Sequence, residues 1–184
     1  MRALKKSTAR RRSPTRLTLA QRVSRLEAQF VSGTIVAPAA PNQASRFTNL
    51  GVDGKPTTGD HVAVHDSKTG LIWAAEPLQK GKKMNHADAM KACSSLKLMG
   101  QSDWRAPTIE ELLSIVDYTR SDPAVNTDHF KGPHGWTWSS TVAAAPAGYA
   151  WLVSLNGGFS GRGNQDFHSH VRAVRAGQSL SLGL

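Results

Sequence analysis

A chain of 184 residues, 39% of them hydrophobic and with five Trp, can bury one sizeable domain core and still leave a tail. The formal net charge is +10, of which residues 1–30 hold +8 (nine Lys/Arg against one acid), so residues 31–184 are near neutral at +2. No run of 18 apolar residues is present to span a membrane, and the single cysteine, Cys93, excludes an intrachain disulfide.

Residues 1–16 carry Lys5, Lys6, Arg10, Arg11, Arg12 and Arg16 around Pro14, and their mutual repulsion predicts a disordered basic arm. Such an arm suits nucleic acid, an acidic partner or an anionic surface. Arg16, Arg22 and Arg25 break the stretch from Thr15 to Phe30, so no apolar segment of the kind found in a cleaved signal peptide follows the basic start. From Thr18, a candidate cap, Leu19, Val23, Leu26 and Phe30 recur at spacings of 4, 3 and 4, a seam of two heptads. A helix this short is unstable alone. It either packs on its own domain or, the reading preferred here, joins several chains into a homo-oligomer, with a trimer favoured. The Pro/Ala-rich stretch Gly33–Pro41 then separates an arm, helix and linker over residues 1–41 from a folded domain over residues 42–184.

Ala44–Gly59 is polar and Gly-rich and reads as an extended lead-in. His61–Asp66 alternates as a strand, Ser67–Gly70 is a turn, and Leu71–Ala74 is the second strand of a hairpin. A charged loop, Glu76–Lys83, leads to a helix capped by Asn85, with Asp88 at its third position and Ala89, Met90, Cys93, Leu96 and Leu98 on its buried face. A second helix begins at Thr108, where Glu111 completes a capping box and Ile109, Leu112, Ile115 and Val116 form an apolar stripe. Just before it, Trp104 can cover the core and Arg105 can hold carbonyls or a carboxylate with its planar fork. The long loop Asp117–Pro133 follows. Trp136–Thr141 and Tyr149–Leu155 are strands, Asn156-Gly157-Gly158 is a turn, Phe159–His168 is a loop, and His170–Arg175 is a last strand. Strands, two helices, then strands again make an α+β domain, because the βα alternation of a parallel sheet is missing.

Six blocks in this order carry a resemblance. Asp66-Ser67-Lys68-Thr69-Gly70-Leu71-Ile72-Trp73 follows the pattern D-x-x-T-G-L-x-W, and Ala89 with Cys93 follows A-x-x-x-C. Asp103-Trp104-Arg105-Ala106-Pro107-Thr108, with Glu111 and Leu112, follows D-W-R-L-P-T-x-x-E-L, with Ala106 in place of Leu. Trp138-Ser139-Ser140-Thr141, Ala150-Trp151 and Val171-Arg172-Ala173-Val174-Arg175 complete the set. Over about residues 60–176 the chain resembles the DUF1566 family, also called the Lcl C-terminal domain. The resemblance implies a C-type-lectin-like fold, with two helices packed on a twisted antiparallel sheet and long loops on one side. It also implies a binding module, as in bacterial surface adhesins that bind sulfated glycans and in phage-encoded proteins that contact hosts. Two departures stand out. The family often has a second Cys in its last block, where this chain has Ala173, so Cys93 becomes a small buried hydrophobe. The Glu-Pro-Asn or Gln-Pro-Asp and Trp-Asn-Asp stretches of calcium-dependent lectins are also missing, and Asn164-Gln165-Asp166 is a poor substitute.

The seven His do not form a metal pattern: only His168 and His170 are close, on one face if their segment is a strand, and no third ligand is placed by spacing. Ser139, Ser140 and Thr141 lack a glycine elbow and a spaced His partner, so they are expected to pair in the sheet. No catalytic residue, metal or cofactor is expected. Trp73, Trp104, Trp138 and Trp151 lie in the family blocks and are expected in the core, whereas Trp136 follows a Gly/Pro stretch and can stack on a sugar or a protein. The expected ligand surface is the Asn156–His170 loop with Trp136. There Asn156, Phe159, Arg162, Asn164, Asp166, Phe167 and His168 combine aromatic anchors with adaptable polar groups, and Gly157, Gly158, Gly161 and Gly163 present them. The leading expectation is a non-enzymatic recognition or structural module of a phage virion (tail fibre, receptor-binding or capsid-decorating). Its arm would engage other virion proteins, and its domain a cell-surface glycan or protein. The alternatives are a glycan-binding adhesin on a bacterial cell surface and a nucleic-acid-associated protein acting through residues 1–25, whose lack of aromatics makes phosphate contacts dominant.

Overall fold

A computed structural model describes residues 45–177. The seam residues Leu19, Val23, Leu26 and Phe30, and the basic arm that carries them, lie outside the described residues. Seven strands form two antiparallel sheets. The first has the order β1-β2-β3-β7, from β1 (Phe47–Leu50), β2 (Ala63–Asp66), β3 (Leu71–Ala74) and β7 (Val174–Ala176). The second has the order β4-β5-β6, from β4 (Trp136–Val142), β5 (Tyr149–Ser154) and β6 (Phe159–Asn164). The helices are a single turn α1 (Leu78–Gly81), α2 (His86–Ser94) and α3 (Ile109–Ser114).

Both helix starts follow from their capping residues. The Asn85 side chain accepts from the Asp88 amide at 2.8 Å. Thr108 accepts from the Glu111 amide while the Glu111 carboxylate accepts from the Thr108 amide, a complete capping box. Arg105 then donates two bonds to the Glu111 carboxylate, at 2.7 and 2.6 Å, and one to the Ala106 carbonyl. The carboxylate, rather than carbonyls alone, is what the guanidinium fork selects.

The core has two parts, and strand alternation explains why. Ala63, Ile72, Ala74, Ala150, Leu152, Val171 and Ala173 belong to one buried cluster with Ala89 and Cys93 of α2. Their chain neighbours Val64, Trp73, Ala75, Val153 and Val174 belong to the other, with Leu112 of α3 and Ile115 just past its end. Successive side chains of a strand point to opposite faces. The two helices therefore cover opposite faces of the strands, and the strand residues between them are apolar on both sides.

Four sequence-based expectations change. The lead-in contains the edge strand β1, whose polar residues Thr48 and Asn49 hide it from an apolar pattern. The strand expected over His61–Asp66 is shorter, beginning at Ala63. The Phe159–His168 loop is instead strand β6 over its first six residues. Five polar or glycine positions in FSGRGN removed any alternation signal, while its ladder to β5 runs unbroken from Tyr149↔Asn164 to Ser154↔Phe159. The strand expected over His170–Arg175 shrinks to β7, because its first half stitches the two sheets together. His170 exchanges backbone bonds with Trp136 and Trp138 of β4, Val171 accepts from Leu78, Ala173 accepts from Ala74, and Val174 exchanges bonds with Arg105.

Residues of the blocks that carry the resemblance have structural jobs here. Asp66 is fully buried at the hairpin and accepts from Arg46 (2.8 and 2.7 Å), the Thr69 hydroxyl (2.8 Å) and the Lys68 amide (3.0 Å). Gly70 closes that turn at φ 70°, a left-handed conformation that glycine adopts without strain. Arg175 holds Asp103 through two bonds, at 2.7 and 3.1 Å.

Candidate recognition surface

Exposed aromatic rings gather at one end of the three-stranded sheet. Trp136 opens β4 and pairs with Ser154 of β5, which pairs in turn with Phe159 at the start of β6. Directly opposed residues share a sheet face. The Trp136 and Phe159 rings thus meet edge to face, with centroids 5.3 Å apart at 79°, and remain 40% and 57% exposed. Glycines make the room for them. A Cβ on Gly161 would stand 3.1 Å from the Trp136 ring, and one on Gly157 would run into the Phe159 ring. Gly158 turns the chain at φ 75°, and a Cβ there would meet Val116, Ala124 and the exposed ring of Tyr118. Asn156 lies in the same turn, its carbonyl accepting from the Asp122 and Ala124 amides.

The other residues of the expected surface lie elsewhere. Arg162 faces the opposite side of the sheet, where its guanidinium lies 5.8 Å from the centre of the Trp151 ring and donates to the Ala145 carbonyl at 2.5 Å. Trp151, expected in the core, is only half-buried as a result. Asn164 ends β6, and its side chain accepts from the Asp166 amide at 2.9 Å to shape the next turn. Phe167 is 64% exposed beyond that turn. Because Phe159–His168 is largely a strand, its period of two and its length separate residues that a loop could have gathered. The structure brings together Trp136 and Phe159, leaves Asn156 in the turn that precedes Phe159, and places Arg162, Asn164, Asp166, Phe167 and His168 outside that pair. The role expected of the glycines changes too: Gly161 and Gly163 sit within β6 as floors for the Trp136 and Trp138 rings, and do not loosen a loop.

His168 and His170 do not share a surface. His170 is buried, whereas His168 is exposed. His168 instead lines a cleft of about 470 Å³ with Gln79, Lys82, Lys83 and Met84 before α2, and Asp88, Lys91, Ala92 and Ser95 along it. Asp88, Lys91, Ala92 and Ser95 are spaced 3, 1 and 3 and so form one face of the helical segment. Lys82, Lys83 and Lys91 are exposed, and none of them enters any of the five ion pairs among the described residues. The sequence reading missed this site. Its signal was the Lys80-Gly81-Lys82-Lys83 run, which the fold brings beside α2.

The candidate hydroxyls are committed to structure. Ser139 donates to the Trp151 carbonyl (2.7 Å), Ser140 to the Pro107 carbonyl (3.1 Å), and Thr141 accepts from the Ile109 amide (3.1 Å). His86 bonds the Ser139 carbonyl at 2.9 Å and packs edge to face on Trp138. Among the described residues no three His, Cys, Asp or Glu side chains are grouped to hold a metal ion. Burial in the first core cluster, which also contains Ala173, pushes the Cys93 thiol up to about 12.

One buried group is unusual. Arg172 is 1% exposed, and among the described residues it bonds only carbonyls: Ala74 at 2.8 Å, Lys131 at 2.9 Å, and Ala75. Burial pulls its pKa down to about 9, against the opposing pull of Glu76. Beside it, His134 and His170 are held below the usual imidazole value, chiefly by burial and further by Arg172. Their Nδ1 atoms and the Arg172 Nε are buried without a partner among the described residues.

Comparison with known families gives one match: the model of the Lcl C-terminal domain fits residues 62–175, more than half of the chain. No curated protein matches it.

Proposed function

As the chain belongs to the Lcl C-terminal domain family, we propose that its folded part is a non-enzymatic recognition module of C-type-lectin-like architecture, with the Trp136–Phe159 ridge as its contact surface. The exposed edge-to-face pair, seated on Gly161 and Gly157, carries this reading. Two large rings left open to solvent at one sheet end are a ready platform for the apolar face of a sugar or for a protein side chain. The exposed Tyr118 lies by Gly158 in the turn that joins β5 to β6.

The module is carried on a phage virion and recognises a host cell surface. The +8 charge of residues 1–30 and the Leu19, Val23, Leu26, Phe30 seam support the companion role of the arm: it anchors the protein to other virion components and assembles a homotrimer. A trimer would multiply weak single-site contacts through effective concentration.

Labelled full-length protein applied to intact candidate host cells, and to arrays of their surface glycans, tests the contact surface. The paired substitution Trp136→Ala with Phe159→Ala is expected to weaken binding about tenfold or more, the effect of losing an aromatic hot spot, while thermal melting shifts little. Unchanged binding by a folded double variant would remove the ridge from the proposal. Light scattering of the full chain tests the arm: a trimeric mass is expected, falling to a monomer when Leu19 and Leu26 are replaced by Ser.

A further inference from the structure

The geometry points to a second binding site, in the cleft between α1 and α2, that takes the phosphomonoester group of a phosphorylated saccharide. The cleft gathers Lys82, Lys83 and Lys91 against one carboxylate, Asp88, which leaves two positive charges unbalanced around about 470 Å³ of open space. None of these lysines is held by an ion pair among the described residues, so their ammonium groups are available to a ligand. A phosphomonoester carries close to two negative charges at neutral pH and three strong acceptor oxygens. It therefore matches the cleft's excess charge, which a sulfate ester or a carboxylate, each with one charge, does not. Lysine ammonium groups bind phosphate as point charges and need no fork geometry.

The rest of the lining suits a sugar attached to that phosphate. Gln79, Ser95 and His168 offer donors and acceptors for hydroxyls, Asp88 accepts from a hydroxyl, and Met84 and Ala92 supply a small apolar floor. The backbone holds the lysine-bearing loop in a defined shape. Gln79 and Lys80 lie at φ 51° and 56°, and Gly81, at φ 79°, packs so tightly on Pro133 that a Cβ would contact its ring. Met84 then exchanges two backbone bonds with Ser169, at 2.9 and 3.0 Å, which fixes His168 beside the lysines. The cleft is distinct from the aromatic ridge, since no residue is common to both. This inference rests on the domain being a recognition module, and it adds a ligand class that the ridge does not supply.

Amide chemical shifts of the full-length protein, titrated at neutral pH with glucose 6-phosphate, glucose 6-sulfate, glucuronate, glucose and inorganic phosphate, provide the test. Glucose 6-phosphate is expected to move the amides of Lys82–Ser95 and His168 with an affinity at least about fivefold above that of the sulfate and the uronate. Lys82→Gln with Lys91→Gln should weaken it roughly tenfold, the combined loss of two charge contacts, with an unchanged melting temperature. Trp136→Ala should leave it untouched. Equal affinity for the sulfate would overturn the charge match, and inorganic phosphate binding as tightly as the sugar phosphate would overturn the saccharide. No movement of these amides up to about 20 mM ligand, or full affinity in the double lysine variant, would overturn the site. Failure of the ridge variants on cells, with an intact response in the cleft, would sink the ridge and spare the cleft; the reverse result would do the opposite.

Discussion

Trp136 and Trp138 stand two residues apart on the same face of β4, and both rings rest on glycines of β6, yet one is 40% exposed and the other fully buried. The difference lies in what covers the face. Over Trp138 lie α2 and the chain preceding it: His86 packs on the ring and the Met84 carbonyl accepts its Nε1–H at 3.0 Å. Past the end of that cover, Trp136 packs edge to face on Phe159 and stays partly open to solvent. One strand thus serves the core at one end and presents a surface at the other, and a two-residue step decides which.

The sharpest way to break that contrast is to truncate each ring in turn. Trp138→Ala empties a buried site and leaves the Met84 carbonyl without its donor. It should cost about 3–5 kcal/mol and unfold much of the protein at physiological temperature. Trp136→Ala should cost about 1 kcal/mol or less and reduce cell binding instead. Denaturant melts of both variants beside the binding assay check the separation; comparable stability losses would mean that Trp136 is a core residue and the ridge is part of the fold.

The same contrast holds for charge. Asp66 is a buried carboxylate fully supplied with partners, whereas the lysines of the α2 cleft are exposed and enter no ion pair among the described residues. Asp66→Ala strands Arg46, which is partly exposed and also bonds the Ser114 carbonyl. It also removes the acceptor that shapes the Lys68–Gly70 turn. A loss of about 3 kcal/mol is expected, against a negligible change for Lys91→Gln, both readable as shifts in melting temperature.

Much of this was legible in the sequence, for definite reasons. Cap residues act locally, so Asn85 and Thr108 announced both helix starts. Trp73, Trp104 and Trp138 were expected in the core because they lie in the blocks that carry the family resemblance, and all three are buried. β6 was not legible: its glycines look like loop formers until the rings that need their missing Cβ atoms are in place, and those rings sit on a different strand. The α2 cleft was equally hidden, since Lys82 and His168 are distant in sequence and the Met84–Ser169 pairing that joins them has no local signal. Placing α2 and α3 on opposite faces likewise depended on which of two adjacent strand residues met which helix.

A smaller effect should appear with pH, at the seam between the sheets. His134 faces His170 and Arg172, His170 faces Lys83 and Arg172, and the acid acting on Arg172 is Glu76. Both imidazoles are depressed, so the folded state binds fewer protons than the unfolded chain once the pH falls below the ordinary imidazole value of about 6.5. Their contribution to stability is complete above that value and is lost progressively as the pH falls toward their folded values. Asp66 and Glu111 are depressed carboxylates, whose contribution is present above the ordinary carboxylate value and is lost at more acid pH, as it falls through their lowered folded values. Between about pH 7.5 and 5.5 the histidines therefore act ahead of the carboxylates. The melting temperature should fall over this interval, and His170→Gln should flatten the slope. A flat profile in the unaltered protein would show that the seam accepts the protons.

A small change in stability is also expected from Gly161→Ala. Gly161 lies in a strand at ordinary φ, so the backbone accepts alanine, and the new Cβ meets only the edge of the Trp136 ring, at 3.1 and 3.3 Å. The exposed ring can tilt away, and the stability change should stay within about 0.5 kcal/mol. Tilting moves it off Phe159, however, and the edge-to-face arrangement is what the proposed contact surface consists of. Binding to cells should therefore fall severalfold in a protein that melts like the parent. Were binding unchanged while Trp136→Ala still abolished it, the ring would matter as apolar area alone, and the geometry set by the β6 glycines would have no part in recognition.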